Sequence, residues 1–314
     1  MLKSVIGLDL GGTNIKAVLL ETTSLRILDQ RTIPTRASEG ASRVVENMAL
    51  AAEALIESAG RSGAKVMALG VGAAGLVDRG VVRNSPNLPG WQGAVPLKRL
   101  LEKRLSKHRL QITIENDANA FVVAEQRLGA AKGLDNVIGL TLGTGVGGGI
   151  IIDGRLYRGA RGGAGEIGHM VIKHDGPKCK CGNQGCLESL IGAQAIINRY
   201  NDLRFRSHLK IEKYIDVEEL AKRAKKGDPH AQQAFTETAI ILGAGLSNLI
   251  NIFNPQAVII GGGVAQAGNL ILKPAIEEMK KRAMPYNRKN VTILRAKLGP
   301  LSGAIGSAIL SITQ

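Results

Sequence analysis

Short apolar runs bounded by glycine or polar residues alternate along the chain with stretches whose apolar positions recur at helical spacing. In the first half, runs over 3–10, 14–20, 26–33, 66–72 and 111–115 predict strands. Alanine and leucine at helical spacing predict a helix over 41–59, and a second helix over 97–106 starts from Pro96. A third opens near Asp117 and is expected to reach Gly129, a residue suited to a C-cap. The second half restarts with strands over 136–143 and 148–153, then an irregular glycine- and cysteine-rich loop over 159–188. Helices are predicted over 217–226 and from Asp228-Pro229, an N-cap and N1 pair, to Phe253, where Asn254-Pro255 stops the run. A buried-type strand over 257–260 enters Gly261-Gly262-Gly263. A helix over 269–283, a strand over 291–296 and a small-residue helix over 302–312 complete the pattern. The polar, basic stretch 203–216 reads as an exposed excursion. Such alternation predicts α/β layers with mixed sheets.

One stretch occurs twice. Val137–Ile152, VIGLTLGTGVGGGIII, repeats the form of Val5–Leu20, VIGLDLGGTNIKAVLL, with Val-Ile-Gly-Leu recurring letter for letter. Leu10-Gly11-Gly12-Thr13 aligns with Leu142-Gly143-Thr144-Gly145. Two copies of strand, glycine turn and strand predict a duplicated domain with two tight turns facing a common cleft. Backbone N–H groups in such turns suit the phosphates of one nucleotide. Chance likeness between two glycine-rich apolar runs is the plainer alternative.

Composition narrows the class. The length of 314 residues fits one large domain or two ordinary ones, and the repeat favours two. With 44% apolar but 3% aromatic residues, the cores must be built from Ile, Leu, Val and Ala. No run reaches about eighteen consecutive apolar residues, so no membrane span is expected. The first strand begins at Lys3, which leaves no room for a signal peptide or an added N-terminal domain, and a cytoplasmic location is the expectation. A net charge of +15 raises the question of nucleic acid. The basic residues fall on amphipathic helical stretches, such as Lys98, Arg99, Lys103, Arg104 and Lys107, without interleaved aromatics. A solvated basic face is preferred to nucleic-acid binding.

The most specific chemical pattern is H-x9-C-x-C-x4-C, formed by His169, Cys179, Cys181 and Cys186. Three thiolates and an imidazole supply a closed tetrahedral shell, the structural type of zinc site, with no open position for catalysis. A disulfide with one spare thiol is the alternative. Asp9, at the mouth of the Gly11-Gly12-Thr13 turn, is placed to hold Mg²⁺ through water. Gly143-x-Gly145-x-x-Gly148 satisfies G-x-G-x-x-G but runs into a strand, so a dinucleotide site fails its context. Asp117, after a strand and opening a helix, is either a plain N-cap or a carboxylate that takes a proton from an attacking hydroxyl. Glu166, His169 and Glu188 bracket the cysteines, and Asn87 and Asn116 add amides suited to a polyhydroxy ligand.

As a set, these residues resemble the ROK family of sugar kinases and repressors, in the actin and hexokinase superfamily. The likeness runs through DLGGTNIK (9–16), END (115–117), LGTGVGGG (142–149), GEIGH (165–169), CKCGNQGCLE (179–188) and GGG (261–263). It implies a two-lobed, actin-like or hexokinase-like ATPase fold with duplicated domains around a cleft. Residues 1–117 plus 301–314 would form the smaller α/β domain, and 118–300 the larger one carrying the zinc loop. It further implies ATP, Mg²⁺ and a structural Zn²⁺, with Asp117 as general base. Asp9, Gly11, Gly12, Thr13, Asn14, Lys16, Thr144 and Gly145 would surround the phosphates and magnesium, and Gly262 and Gly263 the adenosine. Asn87, Asn116, Asp117, Glu166, His169 and Glu188 would hold the sugar. His169, Cys179, Cys181 and Cys186 would hold zinc.

The implied activity is that of a glucokinase acting on the 6-hydroxyl of glucose, in a homo-oligomer, a dimer or tetramer. An N-acylhexosamine kinase, a broad hexokinase and a non-catalytic sugar sensor are the alternatives. Family repressors carry an N-terminal DNA-binding region for which this chain has no expected space. Zinc is expected to order the sugar-holding loop, with little effect on ATP at the distant glycine turns.

Overall fold

The computed structural model describes residues 2–85, 88, 91 and 93–313. In chain order the strands and helices of the first part are β1 (Leu2–Leu10), β2 (Asn14–Glu21), β3 (Ile27–Pro34), α1 (Ala41–Arg61), β4 (Ala64–Ala73), β5 (Leu76–Asp78), β6 (Val81–Arg83), β7 (Ala94–Val95), α2 (Leu97–Arg104), β8 (Gln111–Asn116) and α3 (Asp117–Arg127). There follow β9 (Val137–Leu142), β10 (Val146–Ile152), β11 (Arg155–Leu156), α4 (Leu187–Ile191), α5 (Ala193–Arg206), α6 (Val217–Lys225) and α7 (Pro229–Phe253). The remainder is β12 (Ala257–Gly261), α8 (Asn269–Arg282), α9 (Pro285–Lys289), β13 (Thr292–Arg295) and α10 (Ser302–Thr313). The chain divides into two compact units: residues 1–135, 149–165 and 297–314 form one, and 136–148 with 166–296 the other.

The first unit is built on a sheet of order β3-β2-β1-β4-β8. β1 pairs antiparallel with β2 and parallel with β4, and β4 pairs parallel with β8. Sheets with helices on both faces need strands apolar on both sides, which is why β1 and β4 read as continuous apolar runs. On one face Ile6, Leu8 and Leu10 pack with Val44, Met48, Ala52 and Leu55 of α1. The other face carries α10, and small residues decide how close it comes. A Cβ at Gly7 would lie 2.7 Å from the Ala308 nitrogen, and one at Gly70 would run into the Ser307 carbonyl. Residues 302–311 are all buried.

The expected division at 117 differs from the observed one, because α3 packs along α10 and against β4 and β8. Glu125 of α3, fully buried, also accepts the backbone N–H groups of Lys297 and Leu298, which ties the returning chain to the first unit. Gly129 is no C-cap. Leu128 closes the helix, and Gly129 is small because the Glu125 carboxylate lies against its Cα.

The second sheet has the order β11-β10-β9-β12-β13, position for position the order of the first, as a duplication requires. Parallel β9, β12 and β13 align Val258 with Ile138 and Ile293. The chain passes from the second unit to the first within β10. In the second unit α7 packs on α8 and α5. Among the described residues α7 is the one helix long and apolar enough to cross a membrane. Its Phe235, Leu242, Leu246 and Ile250 are instead fully buried inside this unit. Asp228 caps it through the N–H groups of His230 and Ala231, and Asn254 ends it in the left-handed region. Part of the expected excursion is helical, since α5 runs to Arg206, and residues 207–214 are mostly exposed.

Candidate active site

In the first unit β1, β8 and α10 bring polar groups to one end of the sheet. The β1–β2 turn is closed by Gly11 N–H donating to the Asn14 carbonyl at 3.1 Å. Thr35 holds it from β3's end, where its hydroxyl donates to the Gly11 carbonyl at 2.6 Å and its N–H to the Thr13 carbonyl at 2.8 Å. Gly11 and Gly12 are partly open, and Thr13 and Asn14 exposed. Lys16 stands opposite Asp9 in the β1–β2 register.

Asp9 is the electrostatic centre of this end. Burial and the neighbouring charge of Asp117, partly offset by Lys16, push its carboxyl up to about 6. A cation beside it would restore the charged form, which fits a magnesium-holding role. The first turn of α10 reaches Asp9 because residue 303 is glycine, where a Cβ would stand 3.0 Å from both carboxylate oxygens.

Asp117 is the first residue of α3, and the cap is its neighbour. The Asn116 side chain accepts from the N–H groups of Ala118 and Asn119 at 2.9 and 3.2 Å and donates to the Gly75 carbonyl at 3.2 Å. The N-cap alternative for Asp117 therefore fails. Its carboxylate accepts from Ala118 N–H at 2.9 Å. Glu115, before them, is buried and paired with Arg158 at 2.7 Å.

The second unit holds the other glycine turns and the thiols. Gly143 N–H donates to the Gly145 carbonyl at 2.9 Å, and the side of Thr144 is exposed. Gly262, with φ of 92°, lies against the backbone of Leu142, so the turn after β12 abuts the turn after β9.

The ligand atoms of His169, Cys179, Cys181 and Cys186 all lie within 4.8 Å of one another. Cys181 Sγ and Cys186 Sγ are 3.7 Å apart, as are Cys179 Sγ and His169 Nδ1. A tetrahedron with zinc–sulfur bonds of about 2.3 Å has edges of about 3.8 Å, whereas a disulfide bond is about 2.05 Å. The three cysteines are free, which removes the disulfide alternative, and the donor set fits zinc. Burial and the neighbouring thiols push Cys186 up to about 12, a crowding that a divalent cation would relieve. The other ring nitrogen of His169 stands 3.8 Å from the Glu166 carboxylate.

Glu188 overturns the expected separation of metal loop and glycine turn. One carboxylate oxygen accepts the Val146 N–H at 2.9 Å and lies against Gly145, and the other is 3.8 Å from Cys179 Sγ. Ala193 N–H donates to the Gly143 carbonyl at 2.9 Å. The turn and the thiol loop thus share one side chain. Asn87 lies outside the described residues. Thr35, Gly303, Arg158 and the second contact of Glu188 were not apparent in the sequence, since each acts across elements distant in the chain.

The family model for "ROK family" matches residues 5–314. This chain belongs to the ROK family. Among its ROK relatives, a glucokinase from Thermotoga maritima is 36% identical over 97% of this chain and 96% of its own length. The crystal structure of a ROK family glucokinase from Streptomyces griseus, in complex with glucose and AMPPNP, is 35% identical with a TM-score of 0.83, covering 99% of this chain and 100% of that one. The xylose repressor of Bacillus subtilis is 30% identical over 98% of this chain and 76% of its own length. The two-domain, hexokinase-like ROK fold accounts for the repeated sheet order.

Proposed function

We propose that this chain is an ATP-dependent kinase that phosphorylates the 6-hydroxyl of glucose. The observation that carries the reading is the electrostatic proximity of Asp117 to Asp9 beside a glycine turn, with helix capping assigned to Asn116. Similarity to glucokinases, including one bound to glucose and AMPPNP, supports the same substrates.

In this mechanism Asp117 accepts the proton of the sugar hydroxyl as its oxygen bonds to the γ-phosphorus. The bond from that phosphorus to the bridging oxygen breaks, and ADP leaves. Gly11, Gly12, Thr13, Asn14 and Lys16, with Thr144 and Gly145, hold the phosphates, and Gly262 and Gly263 border the adenosine. Magnesium, held through Asp9, neutralises phosphate charge when bound. Asn87, Asn116, Glu166, His169 and Glu188 hold the sugar. Zinc on His169, Cys179, Cys181 and Cys186 would fix the loop that carries Glu166, His169 and Glu188, and would supply no chemistry of its own.

An N-acylhexosamine kinase or broad hexokinase is the second reading, because the same amides and carboxylates suit any polyhydroxy ring. The likeness to a xylose repressor favours a non-catalytic sensor, against which the paired carboxylates stand. A coupled ADP-release assay over glucose, mannose, fructose, N-acetylglucosamine and N-acetylmannosamine separates all three. Fastest turnover on glucose is the expected result, preference for an N-acyl sugar transfers the assignment, and no turnover with any sugar refutes the kinase. We also propose that the protein is cytoplasmic and forms a dimer or tetramer.

A further inference from the structure

The first unit contains a cavity of about 480 Å³ that none of the residues assigned to phosphate, sugar or metal lines. Its walls are the β5–β6 turn, the start of α2, the edge strand β8 and the loop over 158–162. Arg79, Lys98, Arg158 and Arg161 face it with Asp78 and Glu115, an excess of two positive charges. The Glu115 carboxylate is already committed: it accepts from Asn116 N–H and Asn119 Nδ2, both at 3.0 Å, and pairs with Arg158. Arg158 Nη2, buried, has no hydrogen-bond partner.

Arg79 is the more informative of these residues. Asp78 pairs with Val81, so Arg79 and Gly80 form a two-residue hairpin loop, with φ of 49° and 80°. Loops with both residues at positive φ prefer Asn-Gly, and a long side chain at the first position is strained. Strained positions of this kind cluster at ligand sites. Here that side chain lines the cationic cavity. Three arginines among the lining residues bring the kind of donor that recognises phosphate oxygens, and the volume falls in the range of small-molecule sites.

We propose that this cavity is a second ligand site, one that takes the phosphate group of a small phosphorylated molecule. A bound phosphate competes with Glu115 for Arg158. Glu115 lies two residues before Asp117 on the same β8–α3 segment, so occupancy bears on the strand that presents the proposed base. The inference goes beyond the kinase reading and rests on it only for the choice of probe.

The test is calorimetric titration of glucose 6-phosphate, and separately of inorganic phosphate, into protein saturated with glucose and AMPPNP. The comparison protein is the double variant Arg79→Gly, Arg161→Ala. Glycine at 79 relaxes the turn, so the variant should fold at least as readily as the parent, and its turnover without added phosphate compounds should be unchanged. The expected result is binding of one equivalent in the parent and weakening of tenfold or more in the variant, the scale of a lost charge-assisted contact. Tighter binding of glucose 6-phosphate identifies an organic phosphate as ligand, and equal binding identifies free phosphate. Either supports the site. No binding of either probe to the parent, or equal binding to parent and variant, overturns it. If glucose and AMPPNP fail to bind, the kinase reading fails, while the difference between parent and variant without them still decides the cavity.

Discussion

Asp9 should make the unliganded protein less stable as the pH rises, and Asp9→Asn should remove that cost. The folded protein holds the Asp9 proton up to about pH 6, whereas the ordinary value is 3.8. Between these values the native state binds more protons than the unfolded chain, so stability falls with rising pH through this window. Below about pH 4 the group costs nothing. Above pH 6 the full penalty stands, and at about 1.4 kcal/mol per pH unit it amounts to about 3 kcal/mol. Asparagine, neutral and of the same shape, recovers at most this amount. For a unit of this size about 3 kcal/mol corresponds to roughly 6–12 °C in melting temperature. The assay is thermal melting of parent and variant from pH 4 to 8, without magnesium or nucleotide. The difference should grow from near zero at pH 4 to its full value by pH 7. Magnesium with an ATP analogue should then stabilise the parent far more than the variant, because the charge that destabilises the empty site is the one that holds the cation. A difference that is constant with pH, or a variant less stable than the parent at pH 8, would refute the argument. Asp117→Asn provides an internal control: with one raising charge gone, the transition should move to lower pH.

Asp117→Asn should lower turnover by about two to four orders of magnitude, the usual range for a general base. Calorimetric glucose affinity should be largely kept, and retention of more than a tenth of parent turnover would place the base elsewhere. Cys181→Ala should reduce zinc content from about one per chain and weaken glucose binding. Through Glu188 it should also weaken an ATP analogue measured without sugar, and unchanged analogue affinity would mean that the shared side chain transmits nothing. Glu125→Ala should destabilise by about 3 kcal/mol or more in chemical denaturation, because it strands the backbone N–H groups of Ala130, Lys297 and Leu298. A loss under 1 kcal/mol would show that water replaces the carboxylate.

The α/β layering was legible because buried parallel strands are apolar without interruption and the amphipathic helices between them are not. The zinc-type shell was legible because its three cysteines sit close together in sequence, and their spacing survives folding. The closeness of Asp9 to Asp117 was not, since it depends on β4 lying between β1 and β8, an order no local pattern encodes. β5, β6 and β7 escaped notice because strands of two or three residues show no period. α5 escaped because Ile196 and Tyr200 are the positions it buries, leaving a face of Asn, Asp and Arg that reads as loop. Arg79 carried a faint signal: an arginine before glycine where a hairpin normally takes asparagine.

The glycines under α10 also bear on biosynthesis. β1 and β4 leave the ribosome early, while the helix that covers one of their faces is synthesised long afterwards, following the whole of the second unit. Domains usually complete in the order in which they are translated. Here the second unit can close while the first still waits for α10. The surface left waiting carries Gly7 and Gly70, which admit the helix backbone at close range. Around them stand Val5, Val18 and Leu20, which are fully buried in the finished protein, so the waiting face is apolar. An interrupted product would be both incomplete and adhesive.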